Sequence, residues 1–333
     1  MACPDSQLRL AAEYLTAVKA GIIAVTGASG FIGGATIAAL LRRGWPTRPL
    51  VRTGATSPAI AVGSIDGTTD WTRALEGVDC IVHAAARVHV MGESSTTPLA
   101  AFRAVNVDGT RRLAEQAAKA GVRRLIYLSS IKVNGECSLP GRPITISDPA
   151  APMDDYGVSK WEAEQALREV AERTGLEVVI IRPPLVYGLG VKGNFPRLVT
   201  LVRRGLPLPL MMVRNKRSLV GINNLVDLLA ICVYHPSAAG RTFLVSDGQD
   251  LSTPELLRHI AGAMGRPSRM FPVPPGLMRA GAALLGARME IDRLFGWLQV
   301  DIQQTCEVLN WSPPVDVKDE LRILISGHRH HCS

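Results

Sequence analysis

The sequence predicts an α/β protein with a doubly wound, parallel β-sheet, followed by a smaller C-terminal α/β lobe. From residue 21 onward, short apolar runs alternate with longer segments of helical spacing. Strands separated by helices pair in parallel through right-handed crossovers, and strands covered on both faces are apolar throughout, as these runs are. After residue 183 the alternation weakens and Gly and Pro become frequent, which indicates the less regular second lobe.

Eight elements of the first domain follow one another along the chain. They are strands at 22–26, 49–52, 80–83, 124–129 and 177–182 and helices at 31–43, 99–120 and 154–174. The strand segments are rich in Val, Ile and Leu, which suit a covered sheet. The helix segments stop before Gly44, Gly121 and Gly175, because glycine readily adopts the left-handed backbone that ends a helix.

The domain boundaries follow these changes of pattern. Charged residues break up residues 1–20, so they predict an N-terminal extension and not a signal peptide. The expected boundaries are 21–186 for the first domain, with 219–247 returning to it, 187–218 and 248–326 for the second lobe, and 327–333 for a tail. Residues 277–285 predict a packed helix, with a helix lying on a membrane surface as the alternative.

The composition excludes several classes of protein. Of the 333 residues, 47% are apolar and 20% are charged, which excludes a disordered chain. The net charge of +8 permits a nucleic acid, an anionic membrane or a phosphorylated ligand as partner. The low aromatic content argues against a platform for single-stranded nucleic acid. No apolar run reaches the about 18 residues that span a bilayer, so we expect a cytoplasmic protein without a membrane span.

Neither a metal site nor a disulfide is expected. The cysteines are scattered and form no C-x-x-C pair, a pattern that predicts reduced thiols in a cytosolic enzyme. His83 and His89 flank the end of a predicted strand, but no carboxylate or cysteine completes a ligand set at useful spacing.

The first strand runs into a glycine-rich turn, T-G-A-S-G-F-I-G at 26–33. Gly27 lets the chain turn tightly, Gly30 lets the backbone approach a pyrophosphate, and Gly33 lets the following helix lie close to the sheet. The helix N-terminus offers free N–H groups and a partial positive charge to the phosphates. The candidate dinucleotide-binding residues of this turn are Gly27, Ser29, Gly30, Phe31, Ile32 and Gly33.

The end of the second strand bears on the choice of dinucleotide. A carboxylate about 20 residues after the glycine turn binds the ribose of NAD, but the strand ends at Arg52 without one. Arg52 can pair with a 2′-phosphate, which slightly favours NADP(H). The alternative is NAD(H), with Arg52 a solvated surface residue and the ribose bound by backbone.

A tyrosine and a lysine four residues apart provide a candidate for proton transfer. Tyr156 and Lys160 share one face of a predicted helix, and Ser129 and Ser130 end the fourth strand at its carboxyl edge, where such sheets bind ligands. A free tyrosine, with a pKa of about 10, is too weak an acid. The ammonium of Lys160 and an oxidised nicotinamide ring are expected to lower the pKa of Tyr156, while Ser130 holds the carbonyl oxygen.

These motifs resemble the extended short-chain dehydrogenases/reductases of the NAD-dependent epimerase/dehydratase group. The resemblance covers about residues 21–326. It rests on T-G-A-S-G-F-I-G at 26–33, H-A-A-A at 83–86, N-V-D-G-T at 106–110, L-S-S at 128–130, Y-G-V-S-K at 156–160 and R-P-P-L-V-Y-G at 182–188. It implies a Rossmann fold, an NAD(P)-dependent enzyme, and Ser130, Tyr156 and Lys160 as catalytic residues. Homodimers are usual in this group, so a homodimer is a possible assembly.

The same resemblance implies further contacts with the cofactor. Asn106 would support Lys160 through a water, and Ser64 stands where the group usually has an adenine-binding Asp, with Asp66 as the alternative. The cofactor-binding candidates added in this way are Ser64, Ile65, Ala84, Ala85, Ala86, Asn106, Ser129, Tyr156, Lys160, Pro183 and Val186.

A narrower similarity concerns the substrate. The segments 85–91, 129–136, 191–195 and 217–227 resemble bacterial UDP-N-acetylquinovosamine dehydrogenases, which reduce a 4-keto-6-deoxy nucleotide sugar in surface-polysaccharide synthesis. The resemblance implies that Asn194 and Phe195 approach the nucleotide and that Arg217 neutralises the diphosphate. Its substrate-binding candidates are Val88, Lys132, Asn194, Phe195 and Arg217.

The expected activity is therefore NAD(P)H-dependent reduction of the 4-keto group of a UDP-4-keto-6-deoxy sugar. The alternative is 4-epimerisation, in which the same residues oxidise C4, the keto sugar turns over and hydride returns to the other face. An acid/base pair for dehydration is missing, because Ile131 and Lys132 follow the catalytic serine. A non-catalytic NADP-sensing protein is a remote alternative, since such proteins typically lack the tyrosine. A diphosphate ligand accounts for the basic clusters at 203–204 and 214–217 more simply than a nucleic acid.

Overall fold

A seven-stranded parallel sheet forms the centre of the first domain. The structure, a computed structural model, describes residues 21–88, 98–191, 193–284 and 294–330. Its strands are β1 (Ile22–Thr26), β2 (Thr47–Val51), β3 (Ile60–Ala61), β4 (Val78–His83), β5 (Arg124–Leu128), β6 (Glu177–Arg182), β7 (Leu185–Tyr187), β8 (Leu219–Gly221) and β9 (Thr242–Leu244). The order across the sheet is β3-β2-β1-β4-β5-β6-β9 with parallel neighbours, and β7 and β8 form a separate parallel pair. The predicted α/β class with a doubly wound parallel sheet is confirmed.

Helices cover both faces of this sheet. The α-helices of the described ranges are α1 (Phe31–Arg42), α2 (Thr72–Leu75), α3 (Pro98–Arg103), α4 (Gly109–Lys119), α5 (Asp155–Thr174), α6 (Asn194–Arg203), α7 (Ile222–Tyr234), α8 (Thr253–Ala263), α9 (Pro275–Leu284), α10 (Gln303–Leu309) and α11 (Val317–His330). Helix α1 packs against α7, and α4 packs against α5. The strand side chains divide between two large apolar clusters, one on each face. Both faces are covered, which is why the strands lack polar alternation.

The helix predicted at 99–120 is interrupted by a π-helical segment, Ala104–Asp108, between α3 and α4. A π-helical turn adds a residue to the turn and is frequent at functional sites. Asn106 lies within this segment and is buried. The interruption therefore directs a polar side chain inward in the middle of what the sequence presents as one continuous helix.

Residues 219–247 supply β8, helix α7 and strand β9, and β9 is the outermost sheet strand beside β6. The second lobe has its own apolar cluster, to which α6, α8 and α11 contribute. None of the helices in the described ranges is both long and apolar enough to cross a bilayer.

The helix predicted at 277–285 is present as α9, but the prediction that it is packed is only partly correct. Met278 packs against the cluster of the second lobe. Leu277 is 66% exposed, and Arg279 and Ala280 are exposed as well. The small side chains of α9 leave it one narrow packed face, so most of its surface points to solvent. Residue 285 lies outside the described ranges.

Candidate active site

The glycine turn between β1 and α1 is closed tightly enough to exclude larger side chains. Gly27 has a φ of +65°, and a Cβ built there would lie 2.9 Å from the amide nitrogen of Ala85. A Cβ at Gly33 would lie 2.1 Å from the carbonyl oxygen of Gly27. The helix N-terminus is therefore drawn against the turn itself, and Ser29 and Gly30 remain exposed at its mouth. This bare N-terminus suits the pyrophosphate of a dinucleotide.

The other side chains of the turn and its neighbours have mixed surroundings. Phe31 and Ile32 pack with the apolar residues of α1 and α7. The backbone amide of Ala85, in the half-buried stretch 84–86, donates to the hydroxyl of Thr26 (3.1 Å). The loop after β4 is thus fastened to the strand that carries the glycine turn.

The residues predicted to bind the adenosine end of the dinucleotide lie after strand β2. Arg52 and Ser64 are both exposed. Ile65 is half-buried, and a Cβ at Gly109 would lie 2.6 Å from its Cγ2, so α4 fits closely against this loop. The carboxylate of Asp66 accepts from the amide (2.8 Å) and the hydroxyl (2.6 Å) of Thr68, and these bonds lower its pKa. The carboxylate of Asp66 therefore stabilises the turn in which Asp66 itself lies.

The start of α5 is held against the end of β5. Asp154 caps the helix by accepting from the amide of Gly157 (2.7 Å). A Cβ at Gly157 would lie 2.9 Å from the carbonyl oxygen of Lys132, so only glycine permits this approach. The close approach brings Tyr156 to the turn that begins at Ser130.

Lys160 lies at the centre of the site and is 2% exposed. Its Nζ donates to the carbonyl oxygen of Leu128 (2.7 Å) and to the hydroxyl of Tyr127 (3.1 Å), and it lies 5.9 Å from the centroid of the Tyr156 ring. Burial lowers the pKa of Lys160 to about 7, against the opposing effect of Glu164. The lysine is therefore divided between its charged and neutral forms near neutral pH.

The protein groups around Tyr156 raise its pKa instead of lowering it. Burial is the larger cause and the Asp154 carboxylate the second. The lowering of the pKa of Tyr156 is expected from Lys160 together with an oxidised nicotinamide ring, and among the protein's own groups the desolvation of the phenolate dominates. The combined effect of the lysine and the ring stays a prediction. An additional positive charge is needed to make this phenol acidic at neutral pH.

Two adjacent serines at the end of β5 have different roles. Ser130 caps the short 3₁₀ turn Ile131–Val133, and its Oγ accepts from the amide of Lys132 (3.2 Å). Its hydroxyl hydrogen can still be donated to an oxygen of a ligand. Ser129 instead donates to the buried carboxylate of Glu164 (2.6 Å). The side chain predicted to touch the cofactor at Ser129 is therefore committed to the protein interior.

The carboxylate of Glu164, which accepts the hydrogen bond from Ser129, is held in a buried ion pair with Arg182. Arg182 donates to both carboxylate oxygens of Glu164, at 2.8 and 2.5 Å, and to the amide oxygen of Asn134 (2.9 Å). The carbonyl oxygen of Pro183 accepts from the amide of Ile131 (2.9 Å). These bonds join α5, β6 and the serine turn into one rigid support. Val186, also a candidate, is half-buried and packs with α1 and α7.

Sequence reasoning missed a chain of buried polar groups beneath Lys160. Thr26 Oγ1 lies 2.7 Å from His83 Nδ1, and His83 Nε2 lies 3.0 Å from Thr110 Oγ1. Thr110 also lies close to Tyr127, whose hydroxyl accepts from Lys160. Burial, with the charge of Lys160 as a second cause, lowers the pKa of His83 to about 3. The sequence feature that could have indicated this series of polar contacts is a polar residue in each of three mostly apolar strands: Thr26, His83 and Tyr127.

His83 is thus a neutral interior residue, and His89 lies outside the described ranges. Within those ranges no group of three or more His, Cys, Asp or Glu side chains is placed to hold a metal ion.

Asn106 connects α5 to the loop after β4. Its Oδ1 accepts from the amide of Arg87 (2.8 Å), and its Nδ2 donates to the hydroxyl of Ser159 (2.9 Å). Ser159 directly precedes Lys160 in the chain. Asn106 therefore fixes the backbone next to the lysine, and its expected link to the lysine through a water stays a prediction.

The substrate-binding candidates are spread over two regions. Val88 is 55% exposed, and Lys132 bridges the carboxylates of Glu136 (2.6 Å) and Asp154 (2.5 Å). Arg217 is mostly buried, donates to the carbonyl oxygen of Gly296 (3.3 Å), and has its pKa lowered by burial. Lys132 and Arg217 both interact with Glu136, which couples the serine turn to the second lobe.

The remaining candidates begin helix α6. Asn194 is its first residue. The ring of Phe195 is 1% exposed and stacks on Tyr187 with centroids 5.2 Å apart. The Phe195 side chain is therefore part of the core of the second lobe, so only its backbone is available to a ligand. An approach of this helix N-terminus to a nucleotide stays a prediction.

Comparison with known proteins identifies similar chains. The model of the family described as "NAD dependent epimerase/dehydratase family" matches residues 23–246. A UDP-glucose 4-epimerase of Vibrio cholerae is 46% identical over 302 residues, which are 89% of this chain and 92% of that protein. Two solved structures share the fold: UDP-N-acetylglucosamine 4-epimerase from Bacillus cereus (TM-score 0.75, 19% identity, 92% and 96% of the two chains) and the Bordetella bronchiseptica enzyme WbmG in complex with NAD (0.73, 22%, 95% and 96%).

Proposed function

The chain belongs to the NAD-dependent epimerase/dehydratase family, and from this premise we propose that it is an NAD-dependent 4-epimerase of a UDP-linked sugar. The observation that carries the proposal is the 46% identity to a UDP-glucose 4-epimerase over 89% of the chain. The similarity reverses the order of the two activities expected from the sequence. Reduction of a 4-keto sugar remains the second candidate, because the segments 129–136 and 217–227 favour it.

NAD is the proposed cofactor, bound with its pyrophosphate at the glycine turn. A bound nicotinamide would supply the chemistry that side chains lack, taking a hydride from the sugar carbon and returning it. The residues of the chain fit this group, because Gly27 and Gly33 leave no room for a Cβ and the α1 N-terminus is open beside Gly30. The preference for NADP(H) that Arg52 suggests stays a prediction to be tested with both cofactors.

Tyr156 would move the proton of the sugar hydroxyl. Its Oη accepts the proton from O4 as C4 is oxidised and gives it back when C4 is reduced. The Ser130 hydroxyl donates to the same oxygen and keeps it in line. Lys160, fixed by Leu128 and Tyr127, stabilises the phenolate whenever it carries its own proton.

Inversion at C4 requires the sugar to turn over while the rest of the substrate is held. We assign this anchoring to the second lobe, with Arg217 pairing with the diphosphate. Its support by Gly296 and its attraction to Glu136 keep its guanidinium in one place. A fixed diphosphate with a loosely held sugar is the arrangement that 4-epimerisation needs, since both faces of C4 must be presented in turn.

Cofactor consumption distinguishes the two candidates. The purified protein is incubated with UDP-glucose or UDP-N-acetylglucosamine, and the C4 epimer is measured by chromatography with and without added NAD. An epimerase forms an equilibrium mixture of the two sugars without net change in reduced nicotinamide. Stoichiometric oxidation of NADH or NADPH by a 4-keto-6-deoxy UDP-sugar, with no epimer formed, would establish the reductase instead.

A further inference from the structure

Two long segments of the chain carry basic residues and no acidic ones. Residues 178–226 and 256–289 contain 13 Lys and Arg but neither Asp nor Glu. The rest of the chain contains the other 24 Lys and Arg and all 29 Asp and Glu. The net charge of +8 is therefore concentrated in these two segments, while the remainder of the molecule is acidic.

The fold brings parts of these segments together in the second lobe. Residue 208 pairs with the stretch around Met270, since its amide donates to the carbonyl oxygen of Arg269 (2.9 Å) and its carbonyl accepts from the amide of Phe271 (3.0 Å). Arg266 donates through Nη1 to the carbonyl oxygen of Arg203 (2.6 Å). The end of α6 and the connection from α8 to α9 thus form one continuous surface.

This surface exposes large apolar side chains among arginines. Its apolar members, 42–66% exposed, are Leu206, Met211, Met212 and Phe271, together with Leu277 on the helix α9 that follows Phe271 in the chain. Its exposed arginines are Arg203, Arg204, Arg214, Arg266 and Arg269. In the part of the chain that the structure describes, no carboxylate forms an ion pair with any of these five arginines. We call these ten residues the basic apolar face.

We propose that the basic apolar face docks on an anionic lipid bilayer. The observation that selects this partner is the combination of apolar side chains with arginines on a surface whose segments lack carboxylates. Leu206, Phe271 and Leu277 can enter the boundary between head groups and acyl chains, while the arginines pair with lipid phosphates. A nucleic acid would use the arginines but leave the aliphatic side chains unmatched. This docking is peripheral and does not depend on which sugar the active site binds.

The test is sedimentation of the full-length protein with vesicles of phosphatidylcholine, with and without phosphatidylglycerol. We expect binding to the anionic vesicles, weakened by salt, and little binding to phosphatidylcholine alone. Each arginine near the surface contributes about 1 kcal/mol, or about fivefold in partitioning, so Arg266→Gln with Arg269→Gln should weaken binding about 25-fold. Phe271→Ser with Leu277→Ser should weaken vesicle binding at low and at high salt concentration, since the contribution of apolar side chains does not depend on charge screening.

Matched controls change exposed residues away from the face. Arg73→Gln on α2 and Leu41→Ser on α1 remove one arginine and one exposed leucine and should leave vesicle binding unchanged. All variants should keep the enzymatic activity towards soluble UDP-sugar, which separates docking from the proposed function. Equal binding to both vesicle types, or binding that survives the face variants, would refute the proposal. So would binding to duplex DNA without vesicle binding, or a dimer that Phe271→Ser with Leu277→Ser dissociates in the absence of lipid.

Discussion

Replacing Lys160 with methionine should remove a pH dependence of stability that the wild-type protein shows between pH 7 and 9. Burial lowers the pKa of Lys160 to about 7 in the folded protein, whereas an unfolded lysine has a pKa of about 10.4. Between these two values the unfolded chain binds more protons than the folded one. The free energy of unfolding therefore rises with pH across this window.

The magnitude follows from the two pKa values. Once Lys160 is neutral in the fold, each pH unit adds about 1.4 kcal/mol. Because the folded lysine is still about half protonated at pH 7, its contribution between pH 7 and 9 is about 2 kcal/mol. From about pH 8.5, the ordinary pKa of a thiol, the buried Cys80, whose pKa burial raises to about 12, acts in the opposite direction, and it does so equally in wild type and variant.

The assay is urea unfolding of wild type and Lys160→Met at pH 7, 8 and 9. Other titrating groups cancel in the difference between the two proteins, so the difference should change by about 2 kcal/mol across the window. Lys132→Met is the matched control, because burial of Lys132, which lowers its pKa, is outweighed by the two carboxylates beside it, so the pKa is raised and the titration lies above this range. Parallel curves for wild type and Lys160→Met would show that Lys160 stays fully charged in the fold and would refute the reasoning.

Three further outcomes follow from the site. Tyr127→Phe removes one acceptor from the buried lysine ammonium, so the alkaline limb of kcat/KM should move to lower pH, while an unshifted profile would contradict the assigned support. Gly33→Ala places a Cβ 2.1 Å from a carbonyl oxygen and should weaken NAD binding at least tenfold by calorimetry, whereas Gly34→Ala, at 3.4 Å, should not. Glu164→Gln leaves a buried arginine unbalanced and should lower the free energy of unfolding by about 3–5 kcal/mol, against less than about 1 kcal/mol for Glu162→Gln in a more exposed pair.

In the first domain, the sequence predicted the longer strands of the sheet and missed the short ones, and the helices α6, α7, α8 and α11 after residue 183 were not predicted individually. Strands β1, β4, β5 and β6 have five or six residues, most of them apolar, and are long enough to be recognised by composition. The strand β3 has two residues and β9 has three. Such short strands carry no periodic pattern, and only their pairing with β2 and β6 defines them.

In the candidate site, the arrangement within one helix was predicted from the sequence, whereas contacts between separate elements were not. Spacing along one helix was enough to predict that Tyr156 and Lys160 share a face, because that depends only on local geometry. The partners of Lys160 come from β5, and those of Ser129 from α5 and β6. Contacts between elements distant in sequence depend on packing, which spacing does not encode. The inward position of Phe195 was missed for the same reason.

The raised pKa of Tyr156 has a consequence for the proposed chemistry. Burial and Asp154 hold the phenol in its neutral form, so Tyr156 is a proton donor unless a positive charge lies beside it. When a cationic ring is present, the phenolate is stabilised and Tyr156 accepts the proton of O4. Without that positive charge beside it, the pKa of Tyr156 would rise again and its Oη would hold the proton for return. In the proposed reaction the direction of proton transfer would therefore follow the charge of the neighbouring ring, so the same tyrosine could serve both halves of an epimerisation.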